Sequence, residues 1–557
     1  MKHSSKISAL LRKGTCNQKL LFVLCVISLA LPNVFLFFTE RMPLVASVCN
    51  VVLPVSAMWL AMTASRRPGK AYLFMFPFVF FAAFQIVLLH LFGNSVIAVD
   101  MFLNLVTTNA MEVNELLANI RYAVVLVIVV YVPLMLGSVY SLYHAPLEES
   151  FRQLNRKCAL AGCGAGVALL AWCYAEHEGY RAEDDLYPLN VMYNAGLAAE
   201  RNMRVGNYFE TSRDFTFFAK SSRDSSAAEI HVLLIGETAR SGNFGIYGYE
   251  RNTTPMLEAK DGLVVFSDVM SQSNTTHKSV PMIMSAVSAE DFNDIYYQKS
   301  VITAFKEAGY STAFYSNQRP NRSFIDFFAQ EAHEYKFVRE DLTDEVNVSD
   351  EVLLGLLSDY LKRDKSRKKF IVLHTYGSHF DYCERYPSCM AYFKPDRAEQ
   401  ATAENRGILL NAYDNTIRAT DEFICRVIEM VEAEGVQSTV TYLSDHGEDI
   451  YDDERNLFLH ASPLPSMHQL RVPFMVWTSA EYDRCYPEKR FALMENASMP
   501  VSSNLAVFHT VIDMAGIETP YLRESRALSS ESYKSEPRMY LDDHNRSVPI
   551  AELELCI

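Results

Sequence analysis

Positive charge is in short supply in this 557-residue chain: 51 Lys and Arg face 66 Asp and Glu, a formal net charge of −15. Nucleic-acid backbones are bound by clustered basic side chains, and no basic stripe runs through the sequence, which argues against a nucleic-acid binder. Cysteine is scarce as well. Eleven cysteines, six of them (Cys16, Cys25, Cys49, Cys158, Cys163 and Cys173) in or beside apolar stretches, are too few and too scattered for a disulfide scaffold. Those six read as buried thiols. Cys383 and Cys389 in CERYPSC could close a small loop in an oxidising compartment, and the sequence leaves that bridge open. There is no internal repeat and no long low-complexity tract.

Apolar residues are plentiful, and they concentrate at one end. Runs near the ~20 residues needed to cross a bilayer lie at about Leu20 to Phe38, Pro43 to Thr63, Ala71 to Phe92, Tyr122 to Tyr140 and Cys158 to Cys173. Basic residues precede the first run (Lys2, Lys6, Arg12, Lys13, Lys19) and recur after the second (Arg66, Arg67, Lys70) and after the fourth (Arg152, Arg156, Lys157). This alternation fits the positive-inside rule. It predicts five spans with a cytoplasmic N-terminus, and everything after Cys173 on the outer face. The connection between the third and fourth runs contains MFLNLVTTNAMEVNELL, an amphipathic surface helix in which Asn104, Thr108 and Glu112 recur every fourth residue and share one face. An ordinary solvated face would show the same spacing.

Beyond the apolar end the pattern changes. Strand-like runs (EIHVLLIGE, GLVVFSDV, STAFYS, KFIVLHT, STVTYLSDHGE, RVPFMVW) alternate with helix-like ones, predicting an α/β sandwich around a largely parallel sheet. Several strands end in metal-ligand types: Glu237, His379, Asp445 and His446. Sites in open α/β sheets lie beyond the carboxyl ends of the strands, and converging carboxylates and imidazoles suit zinc. A metal there can activate a hydroxyl for attack on phosphorus. SQSNTTHKSVPMIMS, with Pro281 near the first turn of a helix, offers Ser273, Thr275, Thr276 and Ser279 as the nucleophile. Spacing alone does not choose among the four.

Taken in order, IGETAR, NFGIYGYERNTTP, TTHKSVPMIMS, LHTYGSH, NAYDNTI and SDHGE resemble the phosphoethanolamine transferases of Gram-negative bacteria, the lipid A and lipooligosaccharide enzymes of colistin resistance among them. The resemblance spans nearly the whole chain. It implies a five-helix transmembrane domain plus an α/β periplasmic domain of alkaline-phosphatase/sulfatase-like fold. The implied divisions are 1–175 with a surface helix near 101–119, a bridging segment 176–225, a catalytic domain 226–540 and a loose polar tail 541–557. Residue by residue it implies Glu237, Thr276, Asp445 and His446 as ligands of one firmly expected zinc, with a second possible, and Thr276 as nucleophile. His379 and His460 match the pair that binds a second zinc or the substrate phosphate; His468 is a rival to His460. Asn104, Thr108 and Glu112 match residues that hold the ethanolamine-bearing lipid, and Lys278 and Asn274 could reach its phosphate.

The implied reaction moves phosphoethanolamine from phosphatidylethanolamine to lipid A, core oligosaccharide or another envelope acceptor through a phosphothreonine, by a monomer in the inner membrane. One departure bears on the acceptor: a cystine brackets the nucleophile segment in many lipid A enzymes, where this chain has Gln272 and Met282. A phosphoglycerol transferase of the same superfamily is the alternative. A sulfatase would require C/S-x-P-x-R, and the nearest string, CYPEKR at Cys485, has the wrong spacing. A zinc-holding membrane sensor is a third reading, disfavoured because structural zinc sites prefer Cys and His.

Overall fold

The structure is a computed structural model that describes residues 17–40, 42–92, 96–107, 121–177, 179–340 and 348–555. The chain divides into two compact units, one within residues 1–200 and one running from Arg201 to Ile557.

The first unit is helical: α1 (Gln18–Thr39), α2 (Leu44–Met62), α3 (Pro68–Phe74), α4 (Phe76–Phe92), α5 (Val99–Thr107), α6 (Arg121–Ser141) and α7 (Glu149–Glu176). Among the described residues, four helices are long and apolar enough to cross a membrane, and α3 with α4 makes a fifth if that bent pair is one span. The third span is therefore not the continuous helix its sequence suggests: α3 and α4 meet at a 69° bend. Pro77, the second residue of α4, has no N–H to give and its ring crowds the carbonyl four residues back. The fifth run, short in the sequence, belongs to the 28-residue α7, because the helix continues through the polar stretch before Cys158. Small residues let α7 approach α2. A Cβ on Gly166 would lie 2.6 Å from Leu53 Cα, the type of close contact on which helix pairs in lipid rely.

The second unit is built on seven strands: β1 (Glu229–Gly236), β2 (Leu263–Val265), β3 (Ser311–Ser316), β4 (Glu334–Phe337), β5 (Lys368–His374), β6 (Gln437–Ser444) and β7 (Phe474–Thr478). Their order is β2-β7-β6-β1-β5-β3-β4. From β6 to β4 all neighbours are parallel, while β7 runs antiparallel to β6 and β2. All eight residues of β1 are buried. Its side chains alternate between the two faces, Leu233 and Ile235 entering one core and Ile230, Val232 and Leu234 the other. A parallel strand covered on both sides reads as a continuous apolar run for this reason, and each such side chain is worth about 1.5–3 kcal/mol of burial.

The stretch expected to be a loose polar tail, 541–557, is structured among its described residues. Residues from Met539 onward form strands β8 (Met539–Leu541) and β9 (Ser547–Pro549), paired antiparallel, and a short helix Ile550–Leu555. Tyr540 and Leu541 are buried; hydrophobic residues too sparse to look like an element are enough to seat a two-strand ribbon. Cys383 and Cys389 are both free thiols.

Gly166→Val should drive α2 and α7 apart, and overpacking of this size costs about 1–3 kcal/mol. A thermal melt of the detergent-solubilised chain should show a lowered transition; an unchanged melt would mean that the helices do not depend on this contact.

Candidate functional site

Strand register assembles the site. β1 and β6 are parallel with Gly236 opposite Ser444, so the residues that follow, Glu237 and Asp445, leave the sheet side by side. Glu237, Asp445 and His446 are fully buried, and one ligand atom from each lies within 4.8 Å of the others. Thr276 opens the helix Thr276–Ile283, here α8. Its hydroxyl lies 3.1 and 3.3 Å from the two Glu237 oxygens and 3.1 Å from His446 Nε2. The other hydroxyls are committed elsewhere: Ser279 donates to the Asp445 carbonyl at 2.6 Å, and Ser273 and Thr275 face each other at 3.2 Å. Of the four nucleophile candidates, Thr276 is the one whose hydroxyl contacts the Glu237–His446 cluster.

The donor set fits a zinc ion on its own chemistry. His446 Nδ1 lies 2.9 Å from the Gly447 carbonyl, which can only accept, so Nδ1 carries the proton and the Nε2 lone pair faces the cluster. Asp445 Oδ1 accepts from the Thr238 and His446 amides at 3.1 and 2.7 Å, while the buried Oδ2 makes no hydrogen bond and lies 3.3 Å from His446 Nε2. Two carboxylates, a neutral imidazole and a hydroxyl match zinc's preference for four N or O donors.

Electrostatics agree with that crowding. Burial, and then the adjacent Asp445, pushes Glu237 up to about 7; burial pushes Asp445 up to about 6 and His446 down to about 3. His379 is driven well below its ordinary range by burial and by His460. His460 goes the other way: burial opposes its cation, yet the Glu448 carboxylate, 3.5 Å from Nδ1, outweighs that and raises it.

The structure brings His460 to the cluster, with ring centroids 4.4 Å from His446 and 5.7 Å from His379. His468 lies elsewhere, with Arg240, Asp452 and Asp453 as its charged neighbours. Asn104 belongs to α5; Thr108 and Glu112 lie outside the described residues. Lys278 and Asn274 do not behave as free phosphate contacts. Lys278 Nζ donates to the Asp542 carbonyl at 2.9 Å, and Asn274 is engaged by Ser462, Gln469 and Tyr540. Buried 97% or more from solvent, both are drawn inward by neighbouring carbonyls and amides that spacing does not reveal.

Sequence reading missed three contributors. Thr238 donates to Glu237 Oε1 at 2.7 Å, and Gln318 donates to Glu237 Oε2 at 2.9 Å. Glu448 completes SDHGE and faces His460. Gln318 follows β3 just as Glu237 follows β1, so the rule of strand carboxyl ends was signal enough for it. Cys485, by contrast, is exposed and accepts from Gln437 at the opening of β6, the opposite end of that strand from Asp445.

In metal-free protein the shifts give a signed pH dependence. A carboxyl whose folded pKa exceeds its unfolded value binds more protons when folded, so the stability it contributes falls as pH rises from about 4.5 to about 7 and is level beyond. Glu237→Gln removes this titration. Without metal, the melting temperature of the variant relative to wild type should climb between about pH 5 and about pH 8. Parallel curves would refute the burial of a titrating Glu237.

Known proteins share this architecture. The lipooligosaccharide phosphoethanolamine transferase A of Neisseria meningitidis, an integral membrane protein, superposes with a TM-score of 0.73 at 21% identity, covering 92% of this chain and 98% of that one. The zinc complex of the C-terminal periplasmic domain of EcEptC from Escherichia coli superposes with a TM-score of 0.55 at 24% identity, covering 60% of this chain and 95% of that one. Among curated relatives, the Kdo(2)-lipid A phosphoethanolamine 7''-transferase of Escherichia coli K12 is 31% identical over 348 residues, 60% of either chain. Phosphoethanolamine transferase EptA of the same strain is 30% identical over 302 residues, 52% of this chain and 54% of that one. The chain thus aligns with less than two thirds of the length of these relatives. The sulfatase family profile matches residues 230–517, more than half of the sequence and every strand of the central sheet but the first residue of β1, and the chain belongs to the sulfatase family.

Proposed function

We propose that this protein is a zinc-dependent phosphoethanolamine transferase of the inner membrane, taking phosphoethanolamine from phosphatidylethanolamine and passing it through Thr276 to lipid A or another envelope acceptor. The observation that carries this reading is the Thr276 hydroxyl, which lies within 3.3 Å of both Glu237 oxygens and of His446 Nε2 at the carboxyl edge of the sheet. The names of the curated relatives and the helices apolar enough to cross a membrane support it.

Glu237, Asp445, His446 and Thr276 would hold one zinc ion. When bound, such an ion lowers the pKa of a hydroxyl and offsets charge on phosphoryl oxygens. The chain's own residues supply the rest. The Thr276 proton has an acceptor in Glu237 Oε1, and as the Oγ1–phosphorus bond forms, the bond from phosphorus to the diacylglycerol oxygen breaks and that oxygen leaves as the alcohol, taking up the proton that Glu237 accepted. Thr276 opens α8, and the positive end of the helix dipole favours negative charge on the transferring phosphoryl. Of the two histidines beside His446, His460 is the better able to carry positive charge toward that group, since Glu448 supports its cation while His379 is held neutral. In the second half the acceptor oxygen attacks phosphorus and Thr276 Oγ1 leaves. The reading extends to a monomer with its catalytic unit in the periplasm and, by resemblance, to Asn104, Thr108 and Glu112 as contacts of the ethanolamine head group.

Peptide mass spectrometry after incubation of the zinc-loaded chain with phosphatidylethanolamine should find phosphoethanolamine on the peptide holding Thr276, and none in Thr276→Ala. Modification only when phosphatidylglycerol is supplied would point instead to a phosphoglycerol transferase. An unmodified peptide with either lipid would refute a covalent threonine intermediate. The two histidines should also separate. His460→Ala is expected to slow diacylglycerol release by about 100-fold, the scale of losing one preorganised electrostatic contact, and His468→Ala by less than about threefold. Equal losses would reverse the assignment.

A further inference from the structure

We propose that Asn274 and Gln469 are positioning residues for His460, a clamp that fixes the strained loop on which that histidine stands; this rests on the functional reading above. The residues on either side of His460 both take left-handed backbone conformations, Leu459 at φ 68° and Ala461 at φ 60°. A non-glycine residue held this way is strained and persists only where its surroundings over-determine it. Here the surroundings are two amides. The Ala461 N–H donates to the Asn274 carbonyl at 3.2 Å, and Asn274 Nδ2 donates to the Ser462 carbonyl at 2.9 Å. Gln469 Nε2 reaches the Leu459 carbonyl at 3.4 Å and Ser462 Oγ at 2.9 Å. Backbone groups before and after His460 are thereby held from one side.

The amides themselves are oriented by a chain of hydrogen bonds that all run in one direction. Tyr540 donates to Asn274 Oδ1 at 2.8 Å, Asn274 Nδ2 to Gln469 Oε1 at 2.6 Å, and Gln469 Nε2 to Asp449 Oδ2 at 2.5 Å. Asp449 Oδ1 accepts from Ser466 at 2.6 Å. Because Asn274 Nδ2 also faces the Ser462 carbonyl and the chain ends on the Asp449 carboxylate, both acceptors only, neither amide can flip without setting acceptor against acceptor. Asn274, Gln469, Asp449 and Tyr540 are each at most 3% exposed, so water does not stand in for a lost partner. Asn274 is also two residues from Thr276. One side chain therefore ties the segment carrying the nucleophile to the loop carrying His460, and the ribbon of β8 and β9 anchors it from behind.

The test uses the full zinc-loaded chain in detergent with phosphatidylethanolamine micelles, reading diacylglycerol release and zinc content. Asn274→Ala and Gln469→Ala should each slow release by about tenfold or more, the scale on which small misplacements act, with zinc per chain unchanged. In a His460→Ala background, Asn274→Ala should change the rate no further, because residues that act through one another are not additive. Wild-type rates in both variants, or a full second loss in the His460→Ala background, would overturn the clamp. Tyr540→Phe, which removes one hydroxyl and no packing, carries the same cycle should the alanine variants fail to fold. If wild type releases no diacylglycerol, the functional reading fails on its own, and amide exchange still decides the clamp. Faster exchange over residues 457–463 in the variants, with Glu229–Gly236 unchanged, supports it; unchanged exchange over 457–463 overturns it.

Discussion

Two carboxylates buried side by side repel each other, and the second unit is organised around tolerating that repulsion between Glu237 and Asp445. The pair is a product of register. With Gly236 opposite Ser444, the next residue on each strand emerges at the same height on the same edge, and a slip of one residue would send one of them to the opposite face. Backbone amides of Thr238 and His446 absorb one Asp445 oxygen, Thr238 and Gln318 side chains share Glu237, and the second Asp445 oxygen is left to face the His446 lone pair. A buried acceptor without a donor is costly in a protein that never meets a cation, and economical in one that does.

The segment that carries Thr276 is seated by hydrogen bonds. Gln272 N–H donates to Asn504 Oδ1 at 2.6 Å, and the Gln272 carbonyl accepts from the Leu541 N–H at 2.8 Å. Asn504 also donates to the Ser279 hydroxyl and carbonyl. Four hydrogen bonds from two distant parts of the chain thus span the same few residues that one bridge would. Such a seat does not depend on the redox state of the compartment, unlike a disulfide.

Much of this was legible in the sequence, for reasons that are themselves physical. The central strands announce themselves as apolar runs because both faces of the sheet are covered, and the candidate ligands stand out because they follow those runs directly, as Glu237, Asp445 and His446 do. What escaped was of two kinds. Continuous hydrophobicity does not report direction, so the bend between α3 and α4 hid within one apolar run, with Pro77 as the only mark. Long-range polar contacts are invisible to spacing: Asn274 reads as a residue beside a nucleophile, and only the packing of Tyr540 and Gln469 against it shows that its amide is already spent. Tyr540 in turn sits in a stretch whose few apolar residues gave no periodic signal.

The placement of β1 has a consequence for how such a chain comes to exist. Glu229–Gly236 is the earliest strand of the sheet in chain order, yet its neighbours on either side are Lys368–His374 and Gln437–Ser444. While the nascent chain lengthens, a largely apolar strand whose only polar side chains, Glu229 and His231, stand near its start waits with both backbone edges unpaired, the condition under which extended segments recruit one another. Non-local parallel pairing is also slow. The polypeptide therefore carries a self-adhesive segment through the whole interval between the emergence of its first strand and its sixth, and holdase chaperones acting during synthesis have in that segment a defined substrate.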